Sequence, residues 1–532
     1  MRRSFLFVVG LFLFLTAQAQ VTVKGRVMDA ISGELLEGAS ISTRNQQALS
    51  GKDGNFTMVL PMGEYVLVAQ AEGFDNDTIL LQADRNLITD VIFRLDNQSA
   101  AMQAVQITTS IAKNRKTPVA YSNFTGKDIA ERLGSSDLPL LLNQMPGVYA
   151  TSQGGGAGDA RISIRGFSQR NIAVMVDGIP VNDMENGQVY WSNWFGLGGV
   201  TALTQVQRGL GSSRIANPAV GGTMNIITKG ISQQARLEAN VEIGDSRYEQ
   251  FAVNYSSGRL KGGWGVLMSI TKRQSAGYVD YLYDDMYSYF GKIEKQWKTK
   301  SHGSHTLSFV GVGAPQSHGQ RSFRARLSMY DRAMAQELGI DTVLPRMASN
   351  QGNRYNQHWG YLNEATVSAD KTDTTWARRY ALNERENMFH KPQIYAKHDW
   401  SVSKKTMVTT TVYASYGRGG GVIPQNYGQY DFQSVYFLNS SGSDFTTPID
   451  PKYSLTENKS AGILQRAVNN HNWYGLLNTT QHKINNLWSF TGGVDLRTYR
   501  GRHYREGYNL LGGDYFIPSQ SEKNPSYNAK HM

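Results

Sequence analysis

The stretch QVQRGLGSSRIANPAVGGTMNIITKG, from Gln205 to Gly230, contains five glycines and one proline and ends in a short apolar run. A loop this rich in glycine can bind a phosphate, cap a helix, or let two segments of backbone pack closely. The segments on either side of the loop decide among these roles, and they also decide the fold.

Phosphate binding is disfavoured by the loop's own residues. A dinucleotide-binding loop needs a third glycine three residues after Gly211, where this chain has Arg214. A P-loop needs Gly-Lys followed by Ser or Thr, which the stretch lacks. Because small residues permit close backbone packing, the loop is expected to close a compact domain.

The residues before the loop predict a mixed α/β domain over residues 119–230. TGKDIAERLGSSDLPLLLNQMPGV begins at Thr125, a candidate helix cap, and reaches a Pro-Gly stop. RISIRGF, IAVMVDGIPV and MNIITKG are typical of short strands. No regular βαβ alternation is present.

The first nineteen residues are typical of a secretory signal peptide. Arg2 and Arg3 precede an apolar run that ends at Leu15, and Ala17-Gln18-Ala19 forms a small-residue cleavage site. The run is short for a bilayer span, so an uncleaved anchor helix is the weaker alternative. The mature chain is therefore expected to leave the cytoplasm.

Residues 20–96 alternate short strands with tight turns and predict a small β-sandwich. The pair Asp53-Gly54 is a strong hairpin signal. Residues 97–118 become polar and are expected to be a linker. Within the linker, MQAVQITTS alternates weakly, which is typical either of a segment that adds a strand to a partner's sheet or of the next domain's first strand.

Residues 231–532 alternate apolar and polar side chains in strand after strand. In ARLEANVEI, for example, Leu237, Val241 and Ile243 share one face. Short turns are predicted at residues 404–405 and 485–486, and the stretch from Gln316 to Asn387 is expected to be a loop, or a hairpin with loops. Dyad alternation with short turns, longer polar loops and aromatic strand ends favours a transmembrane β-barrel. A soluble β-sandwich or propeller also alternates and is the alternative.

Composition excludes several classes of function. The chain of 532 residues has no cysteine, which excludes a disulfide framework and cysteine-ligated metals. Its formal net charge is +11, but it has neither a Lys/Arg block nor a nucleic-acid-binding signature, so no nucleic-acid partner is expected. No nucleophile–base pair or metal constellation stands out, so we predict no catalytic residue, metal or cofactor, and no enzyme.

Two resemblances follow from these motifs. GRVMDAISGELLEGASI and GKDGNFTMVLPMGEYVLVAQAEGF resemble the carboxypeptidase regulatory-like domain, which implies an accessory β-sandwich and not a peptidase. The order LLLNQMPGV, RISIRGF, VMVDGIPV, the glycine-rich loop and alternating strands resembles a TonB-dependent outer-membrane receptor of the Bacteroidetes type. The second resemblance covers essentially the whole chain. It implies a mainly β fold with an N-terminal β-sandwich, a mixed α/β plug domain and an antiparallel transmembrane β-barrel.

The receptor resemblance also implies partner-binding and latch residues. MQAVQITTS falls at the family's TonB box, so strand addition to TonB is expected at Gln103, Ala104, Val105, Gln106, Ile107 and Thr108. The family places plug arginines against barrel glutamates, at positions that match Arg165 and Arg208 here. Arginine suits such a latch because its planar fork pairs with a carboxylate through two hydrogen bonds. The alternative is that both arginines bind local carbonyls.

The family's barrel has 22 strands around a plugged lumen. The roughly 300 residues from Ile231 onward supply about ten to fourteen strands. The barrel is therefore expected to be incomplete in this chain, which we interpret as an N-terminal fragment or a truncated gene product.

The expected function is energy-coupled uptake of a scarce substrate, such as siderophore-bound iron, across a Gram-negative outer membrane into the periplasm. The expected partners are TonB and its inner-membrane energising complex, outer-membrane lipid, and a small-molecule or oligomeric substrate. A passive porin or adhesin barrel and a secreted glycan-binding β-protein are the alternatives. The segment VYWSNWFG offers a candidate stacking platform for a ligand, formed by Tyr190, Trp191, Trp194 and Phe195. The alternative is that these aromatic residues pack between the plug and the barrel.

Overall fold

The computed structural model describes residues 20–29, 35–71, 74, 76–84, 87–95, 119–152, 156, 158, 160–209, 219–232, 235–299, 303–321, 326–341, 350–367, 370, 372–403, 405–425, 446–447, 451, 454–460, 462–485, 488–517 and 530–531. The predicted signal peptide, the linker and the segment Gln103–Thr108 lie outside these residues. No helix in the described part of the chain is both long and apolar enough to cross a membrane.

The N-terminal segment forms the expected β-sandwich. Its strands are β1 (Gln20–Asp29), β2 (Ser40–Ser42), β3 (Gln47–Leu49), β4 (Asn55–Pro61), β5 (Gly63–Gln70), β6 (Asp77–Ala83) and β7 (Leu87–Leu95). One sheet has the order β4-β1-β7 and the other β3-β2-β5-β6. Alternate apolar side chains of both sheets enter one core, where the rings of Phe56 and Phe93 lie 5.8 Å apart. The core thus follows from the period of two that strands impose on side chains.

The turn at Asp53-Gly54 is present, but the predicted hairpin is wrong. Gly54 adopts a φ of 64°, and its amide donates to the carbonyl of Gly51 at 2.9 Å. The preceding strand, β3, pairs with β2, whereas the following strand, β4, pairs with β1. The turn therefore carries the chain from one sheet to the other.

The next unit has the mixed α/β content that the sequence predicts. Its elements are β8 (Ala120–Thr125), α1 (Gly126–Arg132), α2 (Leu138–Leu141), β9 (Val148–Ser152), β10 (Ala160–Ile164), β11 (Phe167–Ser168), β12 (Ile172–Val176), β13 (Ile179–Pro180), α3 (Leu197–Val200), β14 (Thr201–Arg208) and β15 (Gly222–Thr228). The central sheet has the order β13-β12-β15-β14-β8 and a small one has the order β11-β10-β9. Thr125 caps α1 as expected: its Oγ1 accepts from the amide of Asp128, whose carboxylate accepts from the amide of Thr125.

The glycine-rich stretch joins β14 to β15, which pair as an antiparallel ladder. Residues 210–218 of the stretch lie outside the described part of the chain. A Cβ atom on Gly221 would lie 2.6 Å from the Cβ of Phe167, and a Cβ atom on Gly222, which has a φ of 150°, would collide with the carbonyl oxygen of Gln207. These two positions bear out the expectation that the glycines allow close backbone packing.

The remaining described residues build a large antiparallel sheet and its loops. Their elements are β16 (Arg236–Gly244), β17 (Tyr248–Ser256), β18 (Trp264–Ser275), β19 (Asp284–Thr299), β20 (Gly303–Gly313), β21 (Gln316–Gly319), α4 (Leu327–Tyr330), α5 (Arg332–Glu337), β22 (Trp359–Val367), β23 (Thr374–Asn383), β24 (Glu386–His390), β25 (Gln393–Ser403), β26 (Thr406–Gln425), β27 (Thr446–Thr447), β28 (Lys459–Ser460), β29 (Ile463–Lys483), β30 (Ser489–Asn509), β31 (Tyr515–Phe516) and β32 (Lys530–His531).

Eleven of these strands form one sheet, which we call the wall, and this number lies in the expected range. Its strands are β16 to β21, β24 to β26, β29 and β30. Strands β25 and β26 pair with each other on either side of the first predicted turn, and strands β29 and β30 pair on either side of the second. The segment between β21 and β24 contains α4, α5 and the hairpin β22–β23, which confirms a hairpin with loops.

The wall has an apolar outer face and a polar inner face. Leu237 is 70% exposed and Ile270 is 63% exposed, although both lie in long regular strands. On the opposite face, Lys292 and Glu294 are buried. This reversal of the pattern of soluble proteins is typical of a transmembrane barrel wall.

Candidate functional site

The plug lies against the inner face of the wall and shares a core with it. Apolar residues of the plug sheet and of the wall belong to one buried cluster, which includes Val174, Ile226, Phe290, Val310 and Trp473. Within this contact lie several buried charged groups. Because an unpaired buried charge is costly, these groups show where the plug is held.

One polar contact between plug and wall is made by Asp177, which lies in the tight turn between β12 and β13 with a φ of 50°. Its Oδ1 accepts from the amide of Thr228 at 2.9 Å and its Oδ2 from the hydroxyl of Thr228 at 2.6 Å. From the wall, the hydroxyl of Tyr395 donates to Oδ2, and Nζ of Lys397 lies 3.4 Å from the Asp177 carbonyl oxygen. One plug carboxylate therefore joins two plug strands to strand β25.

The charge on Asp177 is stabilised in this position. Burial opposes ionisation, but Lys397 and Lys292, with the hydrogen bonds from Thr228 and Tyr395, outweigh it and hold the pKa below its ordinary value. A carboxyl group whose pKa is lower in the folded state than in the unfolded state stabilises the fold at pH values above its unfolded-state pKa. This stabilisation is lost as the pH falls through the folded-state pKa. The contact is therefore intact at neutral pH and weakens only in acid.

Behind this contact, the wall carries its own buried ion cluster. Glu294 lies 3.0 Å from Nη2 of Arg259 and 3.8 Å from Nζ of Lys292. Lys292 also donates to the carbonyl of Lys229, at the end of the plug, at 3.2 Å. The cluster thus connects the end of the plug to wall strand β19 and to the loop between β17 and β18.

A second plug–wall contact is centred on Arg273 of β18. Its guanidinium lies 3.4 Å from Asp284 of the wall and 3.9 Å from Asp137 of the plug. It also lies over the ring of Phe195, 4.5 Å from the centroid, in a cation–π contact. One wall arginine therefore binds the plug through both a carboxylate and an aromatic ring.

The third contact involves the acidic plug loop that follows β13. Glu185 accepts from Nε2 of His503 of β30 at 2.9 Å. Asp183 accepts from the amides of Glu185 and Asn186 at 3.0 Å each, which fixes the shape of the loop. The loop therefore presents the carboxylate of Glu185 to the wall.

The four aromatic candidates do not form one platform. Trp191 and Trp194 are buried in the plug core, and the indole nitrogen of Trp191 donates to Gln169 at 3.0 Å. Phe195 lies under Arg273, and Tyr190 is 40% exposed. For the two tryptophans, the structure corresponds to the packing alternative, because both belong to the buried cluster that the plug shares with the wall. Tyr190 stays a ligand candidate.

The two plug arginines lie close together beside Gly147. Nη1 of Arg208 donates to the hydroxyl of Ser122 at 2.8 Å and to the carbonyl of Pro146 at 3.2 Å. Arg165 has a φ of 50° and is exposed. Among the described residues, Arg208 therefore binds local oxygens, and a latch from either arginine to barrel glutamates stays a prediction.

Sequence reasoning missed Asp177 and Arg273. Asp177 belongs to the sequence VDGIP, in which the pair Asp-Gly predicts a turn. The pair does not indicate which distant residue the aspartate contacts. Arg273 lies at an inward-facing position of a strand in which apolar and polar residues alternate. A charged residue on that inward face was the signal in the sequence that could have identified it. Within the described residues, no group of three or more His, Cys, Asp or Glu residues could hold a metal ion.

A buried pair at the base of the hairpin β22–β23 gives a pH-dependent prediction. His358 Nδ1 lies 2.7 Å from Glu384 Oε1, and both side chains are buried. Burial raises the pKa of Glu384 to about 8, although the positive charge of Arg385 opposes this shift. Burial also lowers the pKa of His358 to about 3, and the positive charges of Arg385 and Arg321 act in the same direction. Both groups are therefore neutral near neutral pH.

Raising the pH from about 6 to about 9 is expected to lower the hydrogen-exchange protection of the first residues of β22, measured as the exchange rate relative to the intrinsic rate at each pH. Because the pKa of Glu384 is higher in the folded state than in the unfolded state, its protonated form stabilises the fold. This stabilisation is lost as the pH rises through the folded-state pKa. Glu384→Gln keeps a hydrogen-bonding partner for His358 without a titrating group, so it should abolish the pH dependence. An equal response in this variant would refute the assignment.

Comparisons with known proteins agree with this architecture. The TonB-dependent Receptor Plug Domain family matches residues 113–223, and the Carboxypeptidase regulatory-like domain family matches residues 22–96. The vitamin B12 transporter BtuB of Vibrio cholerae serotype O1 is 23% identical over 415 residues, which cover 77% of this chain and 53% of that protein. The ferric enterobactin receptor of Pseudomonas aeruginosa is 31% identical over 169 residues, or 30% of this chain and 22% of that protein.

A similar solved structure is the ferripyoverdine receptor of the outer membrane of Pseudomonas aeruginosa, with a TM-score of 0.50 and 12% identity, covering 90% of this chain and 54% of that one. The chain thus spans about half the length of the relatives it matches. The family and the apolar outer face of the wall place the protein in the outer membrane. The chain therefore contains a TonB-dependent receptor plug domain preceded by a carboxypeptidase regulatory-like domain, and over most of its length it is similar to outer-membrane transporters and receptors.

Proposed function

We propose that this protein takes part in the energy-coupled uptake of a scarce substrate, siderophore-bound iron or a similar compound, into the periplasm. The single observation that carries the proposal is the plug held against the wall by noncovalent polar contacts at Asp177, Arg273 and Glu185. These contacts lie beside the apolar core that the plug and the wall share, and hydrogen bonds and ion pairs of this kind can be broken and remade. The names of the relatives, which include a vitamin B12 transporter and a ferric enterobactin receptor, support this substrate class.

The energy is supplied through a periplasmic partner. The segment Gln103–Thr108 precedes the plug, alternates weakly and can add a strand to the sheet of TonB, which the inner-membrane complex energises. Strand addition suits a pulling contact because successive backbone hydrogen bonds share the load. The latch assigned to Arg165 and Arg208 would open in the same movement.

Deletion of Gln103–Thr108 is expected to abolish uptake and to leave substrate binding at the cell surface unchanged. The measurement is accumulation of radiolabelled ferric siderophores and vitamin B12 in cells that depend on this receptor. The matched control deletes the six preceding linker residues, 97–102, which should preserve uptake if linker length is not limiting. Uptake that survives the first deletion would rule out energy coupling and favour a passive porin.

A further inference from the structure

A groove lies on the outer face of the wall, on the side away from the plug. Its volume is about 1070 Å³, and it is lined almost entirely by apolar atoms. Gly291 of β19 and Gly311 of β20 are opposite each other on its floor, so no side chains fill it there. A Cβ atom on Gly291 would meet no atom within 4 Å apart from its chain neighbours, so the groove is open at this point. We call this feature the outer groove, and exposed apolar side chains border its floor: Met268, Ile270, Ile293, Phe309 and Ile394.

Three exposed arginines lie on the same face, beyond one end of the outer groove. On β30, Arg500 and Arg502 follow the groove residue Thr498 by two and four positions, and this spacing places all three on one face. On β26, Arg418 follows the groove residue Ala414 by four positions. Only β29 lies between these two strands, so their backbones are about 10 Å apart. The groove and the three positive charges therefore form one continuous surface.

The three arginines carry charge that no neighbour neutralises. Nη1 of Arg418 donates to two backbone carbonyls at 2.7 and 2.9 Å, and Nη2 donates to Oδ1 of Asn472 at 2.8 Å. These neutral partners fix the guanidinium in position without cancelling its charge. Among the described residues, no carboxylate pairs with Arg418, Arg500 or Arg502. Guanidinium groups bind phosphate through two parallel hydrogen bonds, so an anionic phosphate complements this surface.

The position of Arg418 along its strand agrees with a membrane boundary. The turn between β25 and β26 is short, which is typical of the periplasmic end of barrel strands. Near that end, Trp400 is opposite Val408, and Arg418 lies ten positions beyond Val408 on β26. At about 3.3 Å per residue and a tilt of about 40°, this separation spans about 25 Å, the height of the apolar band of such barrels. The arginines therefore lie where the phosphates of the outer leaflet are expected.

We propose that the outer groove and the three arginines bind one phosphorylated, multiply acylated lipid of the outer leaflet. The arginines bind its phosphate groups, and its acyl chains lie in the groove. A lipid without phosphate would leave the arginines without a counter-charge, and a free phosphate would make no use of the groove. Because this surface faces the membrane, the site lies outside the route of the imported substrate.

The test measures binding of diphosphoryl lipid A to the purified receptor in detergent, by native mass spectrometry. Arg418→Gln combined with Arg500→Gln should lower the affinity by about tenfold or more, equivalent to about 1.4 kcal/mol. Arg418→Lys combined with Arg500→Lys keeps both charges and should lower it less. The matched control is Lys295→Gln, which removes an outer-face cation near the short turns and should leave the affinity unchanged.

Gly291→Leu tests the outer groove separately from the charges. A Cβ atom at this position meets no neighbour, so the wall should fold normally while the leucine fills the groove. The affinity for lipid A should again fall by about tenfold. The matched control is Ala239→Leu, which adds the same bulk at an exposed position of β16 outside the groove and should have no effect.

A comparison of ligands needs no substitution. Lipid A without its phosphates should bind the unsubstituted receptor about tenfold more weakly than diphosphoryl lipid A, and inorganic phosphate should not displace either lipid. Equal affinity for the two lipids would overturn the proposal, since the arginines would then have no part in binding. Displacement by inorganic phosphate, or an unchanged affinity in Gly291→Leu, would overturn it as well, because the groove would then have no part.

Discussion

Asp177→Asn is expected to loosen the plug from the wall while preserving the local backbone. Asn tolerates the positive φ at this position, so the turn between β12 and β13 should persist. The substitution removes the charge that faces Lys397 and Lys292, and it weakens the hydrogen bonds from Thr228 and Tyr395. We expect a loss of about 2–3 kcal/mol in the stability of the docked plug, since Asp177 is only partly buried.

The measurement is hydrogen exchange at the amides of β12 and β15, whose residues are all buried in the receptor. The control is Tyr395→Phe, which removes one hydrogen bond from the same carboxylate and should cost about 1 kcal/mol. Equal, small effects from the two substitutions would show that the charge on Asp177 does not hold the plug.

Arg273→Met is expected to release the other side of the plug. Methionine fills a similar volume but leaves the carboxylates of Asp137 and Asp284 without their shared cation, and it removes the cation–π contact with Phe195. Removing one partner from a buried ion pair costs about 3–5 kcal/mol. Limited proteolysis of the receptor should then cut the plug near α2 faster than in the unsubstituted protein.

Arg273→Lys separates charge from geometry at this site. Lysine keeps the cation but lacks the planar fork that reaches two carboxylates and covers a ring, so an intermediate effect is expected. Proteolysis of Arg273→Met at the unsubstituted rate would contradict the assignment of this residue as a plug anchor.

The sequence predicts the wall well because its signal is local. Alternation in strands such as β16 and β18 depends only on the period of two, and exposed Leu237 and Ile270 bear out the apolar outer face. The turn at Asp53-Gly54 was equally visible, but its role was not. Which strands a turn joins depends on pairing with β1 and β2, and the sequence of the turn does not encode that pairing.

The plug–wall contact was less predictable because its partners are far apart in the chain. Asp177 and Tyr395 are separated by 218 positions, and neither belongs to a motif that names the other. The aromatic run at Tyr190 to Phe195 was a real signal, but Trp191 and Trp194 are used for packing. Composition cannot separate a buried aromatic residue from a ligand platform, since both use the same side chains.

Polar contacts at Asp177 and Arg273 hold the plug against the inner face of the wall, where it would block a pore. The most direct test is ion current through the receptor reconstituted in a planar lipid bilayer. The account predicts no steady current for the unsubstituted protein, and a current when Asp177→Asn and Arg273→Met are combined. A steady current of the same size in both proteins would contradict the claim and favour a passive pore.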